Sequence, residues 1–401
     1  PASSAFLLVA ATTVLALHEL TLRATLPDHG LPNWTSNLGR LSLSVYVLHF
    51  VPLAIYFGVF AHNGPLAFAT SMAAIMPLAY LMGRATEEIA LKTSQSIGGL
   101  LNATFGNAAE MIIALIAVLA AATALKEGDS ERAETMIHLV QASLIGSILG
   151  NLLLVLGLAF VWGGVHHKVQ TFSGAQVGAN GSLLLLAVIA LILPTAYDFT
   201  HPSPGEAVET LSHVTALVLL LLYGLFMLFQ LRTHTELFAT DGTHQDEEPT
   251  MSRKEAMVLL LVSTAFVAWM AEILVFSIEE AAVEWGIPHL FIGVILLPLF
   301  GNAAEHFTAV TVAAKDKMDL SFSIAVGSST QIAVFVAPLM VIIAWAVGVP
   351  LTFQFGLFET VATFLAVLIT NAIAADGKSN WLEGAMLLGT YVILGCAFFL
   401  Y

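Results

Sequence analysis

Residues 97–110 read I-G-G-L-L-N-A-T-F-G-N-A-A-E, and residues 292–305 read I-G-V-I-L-L-P-L-F-G-N-A-A-E. Laid over each other without a gap, nine of these fourteen positions are identical. Each copy lies in a long apolar run and plants one carboxylate, Glu110 or Glu305, where hydrocarbon is expected. A carboxylate at the centre of a bilayer costs roughly 2.5–3.5 kcal/mol on insertion scales, so by default it marks an ion or proton pathway. Two such acids in matching copies point to a binding site on an axis of internal symmetry.

The runs around the copies set the fold class. The chain is 58% hydrophobic and 10% charged, with a mean hydropathy of +0.88, against about 45–50% and about 25% in soluble chains. A helix needs about 20 apolar residues to cross hydrocarbon. Twelve runs qualify, near 5–22, 41–61, 65–86, 96–124, 134–162, 180–195, 210–231, 256–278, 287–314, 320–348, 356–374 and 381–401. His18 and Glu19 shorten the first, so eleven or twelve spans are expected. The reading is an all-α polytopic membrane protein, with the lipid bilayer as its first partner. No cleavable signal peptide is expected, because the first run lacks a basic leader and a small-residue cleavage site. Cys396 is the single cysteine and can form no internal disulfide. A net charge of −15 argues against nucleic acid and for a surface that attracts cations.

Charge also orients the spans. If the runs alternate across the bilayer, eleven of the thirteen Lys and Arg residues fall on one side, and only Lys126 and Arg132 on the other. By the positive-inside rule the first side is cytoplasmic and the C-terminus is outside. The polar stretch 232–255 holds six acids and divides the chain nearly in half. The expected division is 1–64 for one or two extra N-terminal segments, 65–232 for a first five-helix repeat, 233–255 for an acidic cytoplasmic linker and 256–401 for a second repeat. A unit with an odd number of spans enters its second copy from the opposite side. The halves are therefore inverted repeats, which should bring Glu110 and Glu305 together near mid-membrane.

In each copy Gly precedes Asn, and Glu follows Asn by three residues. On a continuous helix that spacing sets Asn107 beside Glu110, and Asn302 beside Glu305, on one face. Gly106 and Gly301 permit local unwinding, and Pro298 removes a backbone donor just ahead. Broken intramembrane helices expose carbonyl oxygens and are tolerated only where they line a cavity. Carboxylates, amide oxygens and carbonyls form an all-oxygen site suited to a hard cation such as Ca2+. No Cys or His cluster accompanies them, which argues against zinc or copper. Glycines alone would suit helix packing, but packing needs no acid.

The following run in each half is polar too: Gln141, Ser147 and Asn151 in the first, Ser328, Ser329 and Gln331 in the second. These are read as ligands or as donors that hold the carboxylates, although such residues also glue helices together. Glu272, inside the eighth run, and Glu87 and Glu88, at the end of the third, complete the candidate acids for a second shell or proton pathway. His306, next to Glu305, is read as a packed histidine rather than a ligand.

At G-N-A-A-E the chain resembles the cation/proton exchanger (CAX) family of the calcium/cation antiporter superfamily. The stretches G-G-L-L-N-A-T-F-G-N-A-A-E, Q-A-S-L-I-G-S-I-L-G-N-L-L-L-V-L-G, G-N-A-A-E-H and G-S-S-T-Q carry the likeness, over residues 65–401. It implies Ca2+ export in exchange for H+, with Glu110 and Glu305 as central ligands, no cofactor, and Ca2+ as the transported ion. It also implies an acidic cytosolic segment, matched by 236–248. Sodium/calcium exchangers share the implied fold but carry a G-T-S-x-P-E-like motif, and here Asn and Ala replace those residues. Competition of Ca2+ and protons for one coupled pair of acids would suffice for exchange. The alternatives are a sodium/calcium or other divalent-cation exchanger and, remotely, a cation channel. An intramembrane enzyme would need a nucleophile or metal motif that the sequence lacks.

Overall fold

The computed structural model describes residues 49–93, 98, 100–101, 104–201, 205–235 and 250–401. The expected run 5–22, the start of 41–61, Arg23, Arg40 and the acidic segment 236–248 lie outside the described residues. Among the described residues the helices with bounded ends follow in order: α1 Phe50–Phe60, α2 Gly64–Ala90, α3 Ala108–Glu127, α4 Ser130–His166, α5 Gly174–Thr200, α6 Gly205–Thr233, α7 Arg253–Trp285, α8 His289–Gly301, α9 Ala303–Ala314, α10 Met318–Val347, α11 Leu357–Ala374 and α12 Trp381–Leu400.

Their ends follow the sequence. Asn63 caps α2 by accepting from the Leu66 N–H at 3.0 Å, with Pro65 in the first turn. Ser252 and Glu255 form a capping box on α7, and Gly286, at φ 62°, ends it. Asn380 and Glu383 cap α12 in the same way.

Nine of these helices are long and apolar enough to cross a membrane among the described residues, and α8 with α9 forms a tenth candidate bent by 59°. That bent pair runs the length of α12. Its beginning lies at the far end of α12, where Phe291 and Phe399 have ring centroids 5.3 Å apart. Its end lies at the near end of α12. There Gln170 donates to the Ala313 carbonyl at 2.9 Å, and Gln170–Thr171 (β1) pairs antiparallel with Lys378–Ser379 (β2) just before Trp381. Twenty helical residues separate the two ends of α12, about 30 Å at 1.5 Å per residue.

The described residues fall into two compact units. One comprises those up to Ile113 and those from 250 to Ile287, that is α1, α2, the first turns of α3, and α7; the other comprises the rest. In the first, α2 and α7 pack so closely that a Cβ on Gly64 would stand 2.4 Å from the Glu280 Cβ. In the second, α4 crosses α8 at two small residues. A Cβ on Gly146 would stand 2.2 Å from the Val294 carbonyl oxygen, and one on Gly293 would stand 2.5 Å from the Ala142 Cβ. Backbone contact through small residues is how membrane helices gain dispersion energy where lipid gives no hydrophobic drive.

Both α4 and α10 loosen into a π-helical turn, at Gly150–Val155 and Ile332–Val336. Aligning Gly146-Ser147 with Gly327-Ser328 lays one turn on the other, so the duplication extends to a backbone irregularity. Such turns gather at functional sites.

Candidate ion-binding site

Both G-N-A-A-E copies sit at a helix break. In the first, residues 104 and 105 are helical, Gly106 and Asn107 form a turn, and α3 starts at Ala108. In the second, Asn302 separates α8 from α9 with φ −94° and ψ 8°. The Met111 N–H donates to the Asn107 carbonyl at 3.1 Å, and the His306 N–H to the Asn302 carbonyl at 3.0 Å. The two starts therefore match bond for bond. Asn stands outside the helix and Glu lies in its first turn, where the positive end of the helix dipole favours an anion.

The second break leaves its polar groups inward. Asn302 is 1% exposed, its side chain makes no cap bond, and neither amide atom has a hydrogen-bond partner among the described residues. Asn107 is equally buried. Both carboxylate oxygens of Glu110 are buried, without a partner outside their own residue among the described residues. Oε2 of Glu305 is also buried. A buried polar atom left unpaired costs about 1–3 kcal/mol, so the Asn302 amide and the Glu110 carboxylate oppose folding unless something binds them. Gly106 and Gly301 flank the breaks directly, where helix ends leave carbonyl oxygens without intrahelical donors. Carboxylate, amide and carbonyl oxygens fit a hard cation. Among the described residues no group of three His, Cys, Asp or Glu side chains could hold a metal.

The polar helices divide. Asn151, on the π turn of α4, donates through Nδ2 to the Ser328 hydroxyl of α10 at 3.1 Å. Its Oδ1 stays buried and unpaired among the described residues. Ser147 is buried on the same helix, and Gln331 is half-buried on α10. The Ser329 hydroxyl donates back to the Ala325 carbonyl of its own helix at 3.0 Å. Gln141, expected to serve the carboxylates, instead gives its amide nitrogen to the carbonyls of Thr352 and Gln354, at 2.9 and 3.1 Å.

Three acids go elsewhere. Glu88 is fully buried and accepts from the Thr250 N–H and hydroxyl, from the Met251 N–H at 3.2 Å and from Arg84 at 3.1 Å. Those bonds use up its lone pairs, and its work is to fasten the approach to α7 onto α2. Glu87 pairs with Arg84 at 3.2 Å. Glu272 is exposed half-way along α7, on the wall of a 380 Å³ cavity with Phe57, Trp269, Phe276 and Glu280. His306 is buried, as expected of a packed histidine. Thr195, Ser212 and Gln170, which tie loops to helices, escaped notice in the sequence. Their only signal was polarity near the ends of apolar runs.

The chain is similar to known proteins along most of its length. The Ca2+/H+ antiporter of Aphanothece halophytica is 46% identical over 90% of this chain and 97% of its own. Vacuolar cation/proton exchanger 5 of Arabidopsis thaliana is 40% identical over 88% of this chain and 80% of its own. The native structure of YfkE superposes with a TM-score of 0.74 at 38% identity, over 90% of this chain and all of that one. An H+/Ca2+ exchanger CAX, at 16% identity and a TM-score of 0.64, covers 90% of this chain and 92% of its own and shares the fold. That fold is two inverted five-helix repeats in a membrane protein, here preceded by α1. The model of the sodium/calcium exchanger proteins matches residues 63–232 and 255–400, and the chain belongs to that family.

Proposed function

We propose that this protein is a secondary active transporter that exports Ca2+ from the cytosol in exchange for protons. The observation that carries the reading is the duplicated break, with one carboxylate and one buried amide in each copy, in a chain 46% identical to a Ca2+/H+ antiporter. Glu110 and Glu305 supply the charge, Asn107 and Asn302 amide oxygens, and Gly106 and Gly301 backbone carbonyls. Ser147, Asn151, Ser328 and Gln331 support them. Ca2+ is cargo, and no resident cofactor is needed.

Exchange follows from charge. Two bare carboxylates are expensive at the bilayer centre, whereas carboxylates neutralised by Ca2+ or by protons are cheaper. If only the neutralised site switches between inward- and outward-facing states, each passage of Ca2+ one way demands return with protons. The setting is a prokaryotic cell membrane, or a vacuolar membrane in a eukaryote, with the C-terminus outside the cytoplasm.

Flux into proteoliposomes tests this. A pH gradient should drive 45Ca2+ uptake, and a proton ionophore should abolish it. Uptake driven by a Na+ gradient and indifferent to the ionophore would instead make the protein a sodium/calcium exchanger. Glu110→Gln and Glu305→Gln keep size and remove charge, and each should stop exchange while the protein still folds, because a neutral amide is cheaper to bury. Turnover near wild type in either variant rules out the two-carboxylate mechanism.

A further inference from the structure

Between α10 and α11 the chain runs through residues 349–356, V-P-L-T-F-Q-F-G, as neither helix nor strand. Val349, Leu351, Phe353 and Phe355 are buried while Pro350, Gln354 and Gly356 are exposed, the period of two of a half-buried strand. Buried backbone must find hydrogen-bond partners, and here side chains from three helices supply them. The Thr195 hydroxyl of α5 donates to the Phe353 carbonyl at 3.1 Å and accepts from the Phe355 N–H at 2.9 Å. The Ser212 hydroxyl of α6 accepts from the Phe353 N–H at 3.1 Å. Gln141 of α4 donates to the Thr352 and Gln354 carbonyls.

Gln141 differs from the other two pins in lying on the helix that carries Ser147 and Asn151. The connecting segment is the direct continuation of α10, and α4 already meets α10 where Asn151 donates to Ser328. Ten residues, about 15 Å of helix, separate Gln141 from Asn151. The pair of bonds closes a ring: α10, its continuation, Gln141, α4, Asn151, Ser328 and back to α10. A ring closed at two points along a helix fixes that helix axially, which one contact cannot do.

We propose that Gln141 is a positioning residue that sets the register of α4 against α10, and so places Ser147, Asn151 and Ser328 for ion binding. This rests on the Ca2+/H+ reading above. It makes Gln141 an anchor acting about three turns from the polar π turn, not a group that touches the ion.

Three variants test it in the full-length protein: Gln141→Leu, Gln141→Asn and Thr195→Val. Three readouts are taken: hydrogen exchange over residues 352–355, Ca2+ KM with maximal rate per folded protein, and the Ca2+ concentration giving half-maximal thermal stabilisation. Both Gln141→Leu and Thr195→Val should raise exchange, since each removes a pin. Only Gln141→Leu should raise KM and the half-maximal Ca2+ concentration, by about tenfold for two lost hydrogen bonds, with maximal rate within about twofold. Gln141→Asn, one methylene short, should fall between, and it decides the matter if Gln141→Leu does not fold. Unchanged KM in both Gln141 variants, or an equal rise in Thr195→Val, overturns the proposal. The half-maximal Ca2+ concentration needs no gradient, so a protein that failed the proton-coupling test would still be judged on it.

Discussion

Asn302 occupies a helix start without doing the usual work of one. An N-cap asparagine normally accepts from a backbone N–H two or three residues on, and losing it costs about 1 kcal/mol. Asn302 makes no such bond, and its amide is buried without a partner among the described residues. Asn302→Ala should therefore leave stability nearly unchanged, yet weaken Ca2+ binding by tenfold or more, measured as Ca2+-dependent thermal stabilisation. Marked destabilisation with unchanged Ca2+ affinity would make the residue a structural cap after all. At this scale the sequence was legible where burial and chemistry conflict. An acid in an apolar run announces itself, which is why Glu110 and Glu305 stood out. Glu88 and Gln141 looked alike as candidates, because the partners that claim them, Thr250 and the 352–354 carbonyls, lie 162 and 211–213 residues away. Side-chain polarity says that a partner is needed, not which one.

Helices were legible as elements because each span repeats the same apolar demand. Irregularities within them were less so. Pro298 and the glycines pointed to a break near Asn302, and a bend of 59° is there. The π turns at Gly150–Val155 and Ile332–Val336 gave no signal, since an extra residue in a turn leaves composition unchanged. The crossing of α4 with α8 is the tightest consequence of sequence at this scale. Gly146 faces backbone atoms of Val294 at 2.2 and 2.6 Å from an added Cβ, and backbone cannot swing aside as a side chain can. Gly146→Ala should cost about 1–3 kcal/mol, the usual penalty of overpacking, whereas Gly224→Ala and Gly389→Ala, with nothing within 4 Å, should be neutral or slightly stabilising. Thermal unfolding of the three variants in one detergent checks this. A Gly146→Ala protein as stable as the controls would show that the two helices do not touch at that point.

Over the whole molecule, parity of crossings decides what faces what, and the bent pair α8–α9 carries the parity. Lys168 follows α4, and from there to Tyr401 the chain passes α5, α6, α7, the bent pair, α10, α11 and α12. If the pair crosses, that is seven passages and the tail lies opposite Lys168; if it dips and returns, six passages leave the tail beside Lys168. The Gln170 bonds to Ala313 and to Asp316, the latter at 2.8 Å, favour crossing, because they hold the exit of α9 at the Lys168 face while its entrance lies with Phe399 at the other. Charge agrees, since Lys315, Lys317 and Lys378 gather on the Lys168 side and the α7–α8 turn has no Lys or Arg. Cys396 is the only native cysteine, so Cys396→Ser gives a clean background for single-site labelling. In it, Glu131→Cys and a cysteine appended after Tyr401 should react with a membrane-impermeant maleimide in intact cells. Lys168→Cys, exposed at the other face, should react only after permeabilisation. A tail that labels with Lys168 rather than with Glu131 would make α8–α9 re-entrant. The second repeat would then hold four crossings, an even number, and the inversion of the two repeats would fail with it.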